Sequence, residues 1–165
     1  MTTTELLEAH HKEAYYWARQ CCRFDSDLAS DALQTAYLKV LQGKARFHGK
    51  SSFKTWLFSV IRFTSADLLK EREKRNTMHV GFDSGQVAYF SEAVEETYSS
   101  NYEELIKLLP KRQAELLLLV FYHNLTIEAA AEVMQIGVGS ARTHYDRGKK
   151  GLLEIIQKHK LRQAQ

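Results

Sequence analysis

The sequence predicts an all-α protein of two small helical domains joined by a linker, the second built around a helix-turn-helix. Three observations lead there. Leu, Ala, Glu, Lys, Arg and Gln dominate the 165 residues, while strand-like alternation of Val, Ile and Thr is scarce. Only one proline, Pro110, punctuates the chain. Charge also falls in blocks. Residues 1–43 carry four basic and six acidic side chains, and residues 44–75 nine basic and three acidic. Residues 76–104 carry six acidic and no Lys or Arg, residues 105–136 three of each, and residues 137–165 seven basic and two acidic. Two basic blocks around an acidic one point to two surfaces that meet polyanions.

Taken in order, Leu7, His11, Ala14, Ala18 and Cys21 repeat at helical spacing, with Tyr15 and Trp17 alongside. Asp25, Ser26 and Asp27 break that pattern and offer an N-cap. The period resumes through Leu28, Ala29, Ala32, Leu33, Ala36, Tyr37, Val40 and Leu41, and Gly43 ends the helix. Its other face carries Asp31, Gln34, Thr35, Leu38 and Lys39, where an exposed Leu38 hints at a partner surface. A basic loop follows, and Ser51 or Ser52 can cap the next helix, which buries Phe53, Trp56, Leu57, Val60, Ile61 and Leu68. The stretch Lys44–Arg75 mixes cations with Phe47, Phe53, Trp56, Phe58 and Phe63. Such a mixture suits melted nucleic acid, because cations hold phosphates and aromatic faces take unstacked bases. Helical spacing equally allows Phe53, Trp56 and Phe63 to be core. Phe47 and His48, in the loop, are better placed for contact.

Residues 1–75 therefore form the first domain, 76–98 an acidic flexible linker with a short helix at its end, and 99–165 the second domain. Pro110 fits a helix start, where its missing N–H is not needed. The helix KRQAELLLLVFYH follows, closed by Asn124. Thr126 caps a short helix, and the turn Gln135-Ile136-Gly137 leads into a second one from about Gly139. This is helix-turn-helix spacing. Ala130 or Ala131 lets the helices approach, and Ile127, Val133, Ile136, Val138 and Ala141 form the shared core. The second helix presents Ser140, Arg142, Thr143, His144, Arg147, Lys149 and Lys150, donors suited to a major groove. A plain helical hairpin is the bland alternative.

Other classes are excluded more simply. No apolar run approaches the length of a membrane span, and the N-terminus lacks the pattern of a signal peptide, so a cytoplasmic protein is expected. Cys21 and Cys22 are adjacent and point about 100° apart on a helix, which disfavours a disulfide. With His10 and His11 they match no usual zinc spacing. No phosphate-binding glycine loop and no nucleophile–base set is present, so neither catalysis nor a cofactor or metal is expected.

With these motifs in hand, the chain resembles a bacterial RNA polymerase sigma factor of the extracytoplasmic-function (ECF) type. ASDALQTAYLKVL at Ala29–Leu41, FHGKSSFKTWLFSVIR at Phe47–Arg62 and ADLLKEREKR at Ala66–Arg75 resemble its region two. Leu109–Leu152, from the leading Leu-Pro through the Val-Gly-Ser before the last helix, resembles region four. The resemblance implies that Asp31, Gln34, Thr35, Leu38 and Lys39 bind the clamp of core RNA polymerase's largest subunit. It implies that the loop and helix after it, with Arg46, Phe47, His48, Lys50, Lys54, Trp56 and Arg62, recognise and open the minus-ten promoter element. Region four would read the minus-thirty-five duplex and dock on the polymerase flap. Departures are Phe63 for the usual Asn, Ser30 for an acidic residue, Ala129-Ala130-Ala131 for Glu-Ile-Ala, Gln135 for the turn glycine, Gly137 for the capping Ser, and Asp146. An acidic side chain on a groove-facing helix repels phosphate. Two rival readings stay open: a stand-alone helix-turn-helix regulator, and a sigma-like adaptor placed by another DNA-targeting partner. The resemblance also admits an anti-sigma factor as a further partner.

Overall fold

The computed structural model describes residues 1–78 and 100–164, and all regular structure among them is helical. The predicted short helix at the end of the linker lies outside the described residues.

Helix α1 (Thr3–Ala9) starts at a capping box. The Thr2 hydroxyl accepts from the Glu5 amide at 3.2 Å, and Glu5 Oε2 accepts from the Thr2 amide at 2.7 Å, so two end amides are satisfied reciprocally. The chain kinks at His10 and continues as α2 (His11–Cys21). That kink resets the helical phase. His11 is exposed and Cys21 only half-buried, whereas Trp17 and Cys22 enter the core. The uninterrupted spacing expected for His11 and Cys21 is corrected accordingly.

Asp25 caps α3 (Ser26–Leu41), its carboxylate accepting from the Leu28 amide at 3.1 Å. The tight link before it places Arg23 and Phe24 at positive φ. Ala29, Ala32, Leu33, Ala36 and Val40 form the buried stripe of α3, while Leu41, at its end, turns outward. Gly43, at φ +76, takes the left-handed step after the helix. Ser52 then caps α4 (Phe53–Met78), accepting from the Thr55 amide at 3.1 Å. On α4, Phe53, Leu57, Phe58 and Ile61 are buried. Trp56, Val60 and Leu68, expected inside, are half-buried because they lie on the flank of the stripe. The helix runs through residues 76–78.

Helices α2, α3 and α4 pack around Trp17, whose indole stacks on Phe58 (5.6 Å, 6°) and donates to the Phe58 carbonyl at 3.0 Å. An aromatic of that size centres a small core, and its one polar atom is satisfied.

The second half opens with α5 (Ser100–Lys107) and α6 (Lys111–Leu117). Helix α6 loosens into a π-helical turn, Leu118–Tyr122, and Asn124, at φ +58, ends it as expected. Thr126 caps α7 (Ile127–Met134), accepting from the Ala129 amide at 3.1 Å. Gln135, at φ +54, makes the left-handed turn, and α8 (Val138–Gln163) follows. Ala130, Ala131, Val133 and Ala141 are buried as the helix-turn-helix reading requires. Ile127 and Ile136 are half-buried, and Val138 is exposed because it begins the helix on the solvent side. Gly148 lets α8 lie directly on α6. A Cβ there would stand 3.3 Å from Gln113 Cβ, the Gln113 carbonyl oxygen and Leu117 Cδ1.

The halves are not apart. Helix α4 packs along α7, the π turn reaches α2 through Tyr122 and Tyr16, and His123, just after the turn, sits against Trp17 of α2 and Phe58 of α4. Arg19 on α2 and Glu103 on α5 form an ion pair at 3.0 Å with both side chains about nine-tenths buried.

Candidate nucleic-acid interface

Three surfaces gather the residues that the sequence singled out. The first is the outer ridge of α3. Asp31, Gln34 and Leu38 are exposed, Leu38 by 54%, and Thr35 and Lys39 are half-buried beside them. Their spacing of three and four residues places all five on one side. The Thr35 hydroxyl donates to the Asp31 carbonyl at 2.7 Å. Lys39 leans toward α4, donating to Thr64 Oγ1 at 3.2 Å with its ammonium 5.7 Å from the Phe63 ring centre.

The second surface is the loop 43–52 with the exposed flank of α4. Arg46, His48 and Lys50 are exposed, and Arg46 Nε donates to the Gly43 carbonyl at 3.2 Å. Phe47 is 40% exposed and covers the start of α4, with its ring centre 5.5 Å from that of Phe53 and 5.4 Å from that of Trp56. An open cleft of about 490 Å³ lies below, lined by Lys39, Lys44, Trp56, Phe63 and Gln135 among others. The aromatics thus divide. Phe53 and Phe58 are core, Trp56 is shared, and Phe63 is 62% exposed.

Lys54 and Arg62, expected to face DNA, instead face the second half. Lys54 Nζ donates to the His123 carbonyl at 2.7 Å and pairs with Glu13 at 2.8 Å. Arg62 Nε donates to Glu115 Oε2 at 2.8 Å, and Nη1 reaches the Met134 carbonyl at 3.5 Å. The hydrogen bond from Lys54 holds the Glu13 carboxyl below its ordinary range.

The third surface is the exposed face of α8. Ser140, Arg142, Thr143, Arg147, Lys149 and Lys150 are exposed, while His144 is half-buried toward the domain. With 3.6 residues per turn, Arg142, Thr143, Asp146, Arg147 and Lys150 share the outward face, so Asp146 stands among the cations. Arg142 lies 3.4 Å from Glu128 on α7, an exposed pair of small energetic weight. Lys149 lies over the Tyr145 ring at 4.5 Å.

His123 was missed by sequence reasoning. It is 3% exposed, its Nε2 is 2.7 Å from Gln20 Oε1, and its ring meets Phe58 and Trp17 edge-on at 4.8 and 5.6 Å. Burial, reinforced by the nearby Lys54 ammonium and opposed by Glu13, lowers its pKa to about 4. It is therefore neutral at pH 7.

Residues 6–75 match the sigma-70 region 2 family, and residues 99–152 match sigma-70 region 4. These two regions span most of the chain, in order. The chain is a sigma factor of the sigma-70 family, of the ECF type. Among curated relatives it is 25% identical to the ECF RNA polymerase sigma factor SigX of Bacillus subtilis, covering 93% of this chain and 81% of SigX. It is 23% identical to the RNA polymerase sigma factor SigV of the same organism, covering 85% and 82%. Among solved structures, it resembles the sigma factor RpoE from Bartonella quintana, determined in complex with the anti-sigma factor NepR. That match has a TM-score of 0.77 at 19% identity, over 93% of this chain and 96% of that one. It also resembles CnrH, determined in complex with the cytosolic domain of CnrY, with a TM-score of 0.67 at 16% identity over 94% and 87%.

As a sigma factor, the protein binds core RNA polymerase and promoter DNA and directs transcription initiation. No described helix is long and apolar enough to cross a membrane. The described residues hold no cluster of three metal-ligating side chains, and both cysteines are free thiols.

Proposed function

We propose a division of labour among the three surfaces. The α3 ridge of Asp31, Gln34, Thr35, Leu38 and Lys39 docks on the clamp of the polymerase's largest subunit. The ridge suits that task because it offers one apolar contact inside a polar frame, on a helix whose opposite side is fixed in the core. Arg46, Phe47, His48, Lys50 and Trp56 take the minus-ten element, the cations holding the phosphate backbone and the aromatics receiving unstacked bases, while Lys54 and Arg62 are engaged by Glu13, the His123 carbonyl and Glu115 and serve the join between the halves. The α8 face of Ser140, Arg142, Thr143, His144, Arg147, Lys149 and Lys150 enters the major groove upstream, and its domain contacts the flap. Residues 1–75 and 99–165 are the working domains, with 76–98 the tether between them. The protein works in the cytoplasm and has no chemistry of its own; polymerase supplies catalysis. An anti-sigma factor that masks these surfaces fits the same reading.

The observation that carries the proposal is the presence, on one small chain, of an exposed α3 ridge and a separate cationic helix-turn-helix face. Co-purification with the source bacterium's core polymerase tests it. The wild type elutes with polymerase and Gln34→Ala is depleted; equal retention of both removes the α3 assignment.

A second reading is favoured by Asp146, which places a negative charge on the groove-facing side of α8. In that reading the protein recruits polymerase to a site chosen by another DNA-targeting partner. Selection of a two-element promoter by purified protein and core polymerase alone eliminates it.

A further inference from the structure

Helix α8 is longer than the family module it carries. The match to region 4 ends at residue 152, yet the helix runs on without a break through Gln163. At about 1.5 Å per residue its 26 residues span about 39 Å. The base of the continuation is anchored. Leu152 and Ile155 pack against the core, and a Cβ at Gly151 would stand 3.0 Å from Leu109 Cδ2. The helix-favouring run LLEIIQKHKLRQ carries it onward.

The continuation repeats the charge of the segment before it. Arg147 and Lys149 recur as Lys158 and Lys160, eleven residues on. Eleven residues make three turns to within about 20°, so the second pair stands at the azimuth of the first, about 16 Å farther along the axis. All four side chains are exposed, and Lys158 and Lys160 make no ion pair among the described residues. The acidic residue between the pairs, Glu154, sits four residues from both Lys150 and Lys158, which offset it. Asp146 subtracts from the charge of the first pair but lies about 18 Å along the axis from Lys158, beyond a screening length of about 8–10 Å. Lys160 and Arg162 also complement the helix dipole in the last turn. The dipole accepts cations at any azimuth, so it does not account for two pairs that share one.

We propose that Lys158 and Lys160 hold the phosphate backbone of duplex DNA beside the major groove that the start of α8 enters, so that the continuation of α8 lengthens the DNA contact beyond the region-4 module. The inference rests on the groove reading of α8. The dimensions carry it. A major groove is about 12 Å wide, so a pair about 16 Å beyond Arg147 and Lys149 clears the groove and stands over the phosphate ridge at its edge. The charge is complementary to that ridge and continuous with the groove-facing cations. Phosphate contacts position a protein and carry no sequence information directly. The pair therefore adds affinity on any duplex and fixes the pose of the helix, not its choice of bases.

The test uses the full chain and a fluorescent duplex of mixed sequence about three helical turns long, with anisotropy read across a range of potassium chloride concentrations. Lys158→Gln with Lys160→Gln lowers the slope of log affinity against log salt by about two, near one per lost phosphate, and weakens binding about tenfold at low salt. Lys158→Arg with Lys160→Arg keeps both values. Circular dichroism checks the helix, which glutamine supports; Lys158→Gln alone lowers the slope by about one and decides the matter if the double variant loses helicity. An unchanged slope with both lysines replaced by Gln overturns the proposal, and so does an equal loss in the Arg variant. Lost helicity with an unchanged slope assigns the lysines to the dipole and overturns it. Lost retention on core polymerase with an unchanged slope assigns them to a protein partner and overturns it too. Arg142→Ala with Arg147→Ala, run alongside, separates this proposal from the groove reading. If the arginine pair lowers the slope and the lysine pair does not, the groove reading stands and the proposal falls. If neither lowers it, both fall. If only the lysine pair lowers it, the groove reading falls and takes with it the placement of the lysines beside the groove.

Discussion

Acid should loosen the contact around His123, and the size of the effect can be worked from the geometry. The ring is buried and neutral, with its pKa lowered from an ordinary 6.5 to about 4. A histidine with a lowered folded pKa contributes nothing adverse above 6.5, but below it the exposed form binds a proton that the buried form refuses. Stability is therefore full at pH 7 and falls as pH drops through the window from 6.5 to 4. The loss amounts to about 2 kcal/mol between pH 7 and 5, and about 3 kcal/mol once pH falls below 4. The charged groups nearby are Lys54, which opposes protonation, and Glu13, which favours it. Glu13 has a lowered pKa of its own and begins to protonate only below the ordinary carboxylate range. Between pH 7 and 5 the histidine contribution therefore stands apart from Glu13. Urea titrations of wild type and His123→Gln, at pH 7 and pH 5, read it directly. Wild type should lose about 2 kcal/mol more than the variant over that interval. Equal losses would refute the reasoning, because they would mean that His123 is already hydrated in the native state.

Other consequences are simpler. Replacing Arg142 and Arg147 by Ala should weaken binding to duplex DNA and reduce the slope of log affinity against log salt by about one per lost phosphate contact; an unchanged slope in filter binding would dissociate α8 from DNA. Leu38→Ala should leave the melting temperature within experimental scatter, since the side chain is half-exposed, yet weaken core polymerase binding about tenfold. Identical affinities by surface plasmon resonance would count against the ridge. Gly148→Leu should drive a side chain into Gln113 and Leu117, costing about 2 kcal/mol and about 5 °C in Tm. A melting curve that does not move would mean that α6 and α8 are less closely packed than described.

Much of the fold was legible in the residues. The buried stripe of α3 follows from the 3.6-residue period of Ala29, Ala32, Leu33, Ala36 and Val40, and its polar ridge follows as the complement. Thr126 announces α7 because a hydroxyl before an apolar run satisfies an end amide. Other features had no local signal. The break at His10 shifted the phase of the first helices, and nothing in the residue type requires it. Phe53, Trp56 and Phe63 share helical spacing, yet the first is core, the second half-buried and the third exposed. The difference depends on what the loop and the second half lay over them. The same holds for Lys54 and Arg62. Sequence reads them as surface cations, and only the tertiary placement of Glu115 and His123 turns them inward. Arg19 and Glu103 are likewise ordinary charged positions until the fold brings them to 3.0 Å.

The division of labour between the two halves of this sigma factor rests on what it does to polymerase. The most direct measurement is run-off transcription from a library of genomic fragments of the source bacterium, using its core polymerase with and without the protein. The account predicts transcripts with defined start points that core polymerase alone does not make, and their loss when Gln34 and Leu38 are both replaced by Ala. Defined transcripts that persist at full strength with both residues replaced would contradict it, as would a protein that co-elutes with polymerase yet adds no start point.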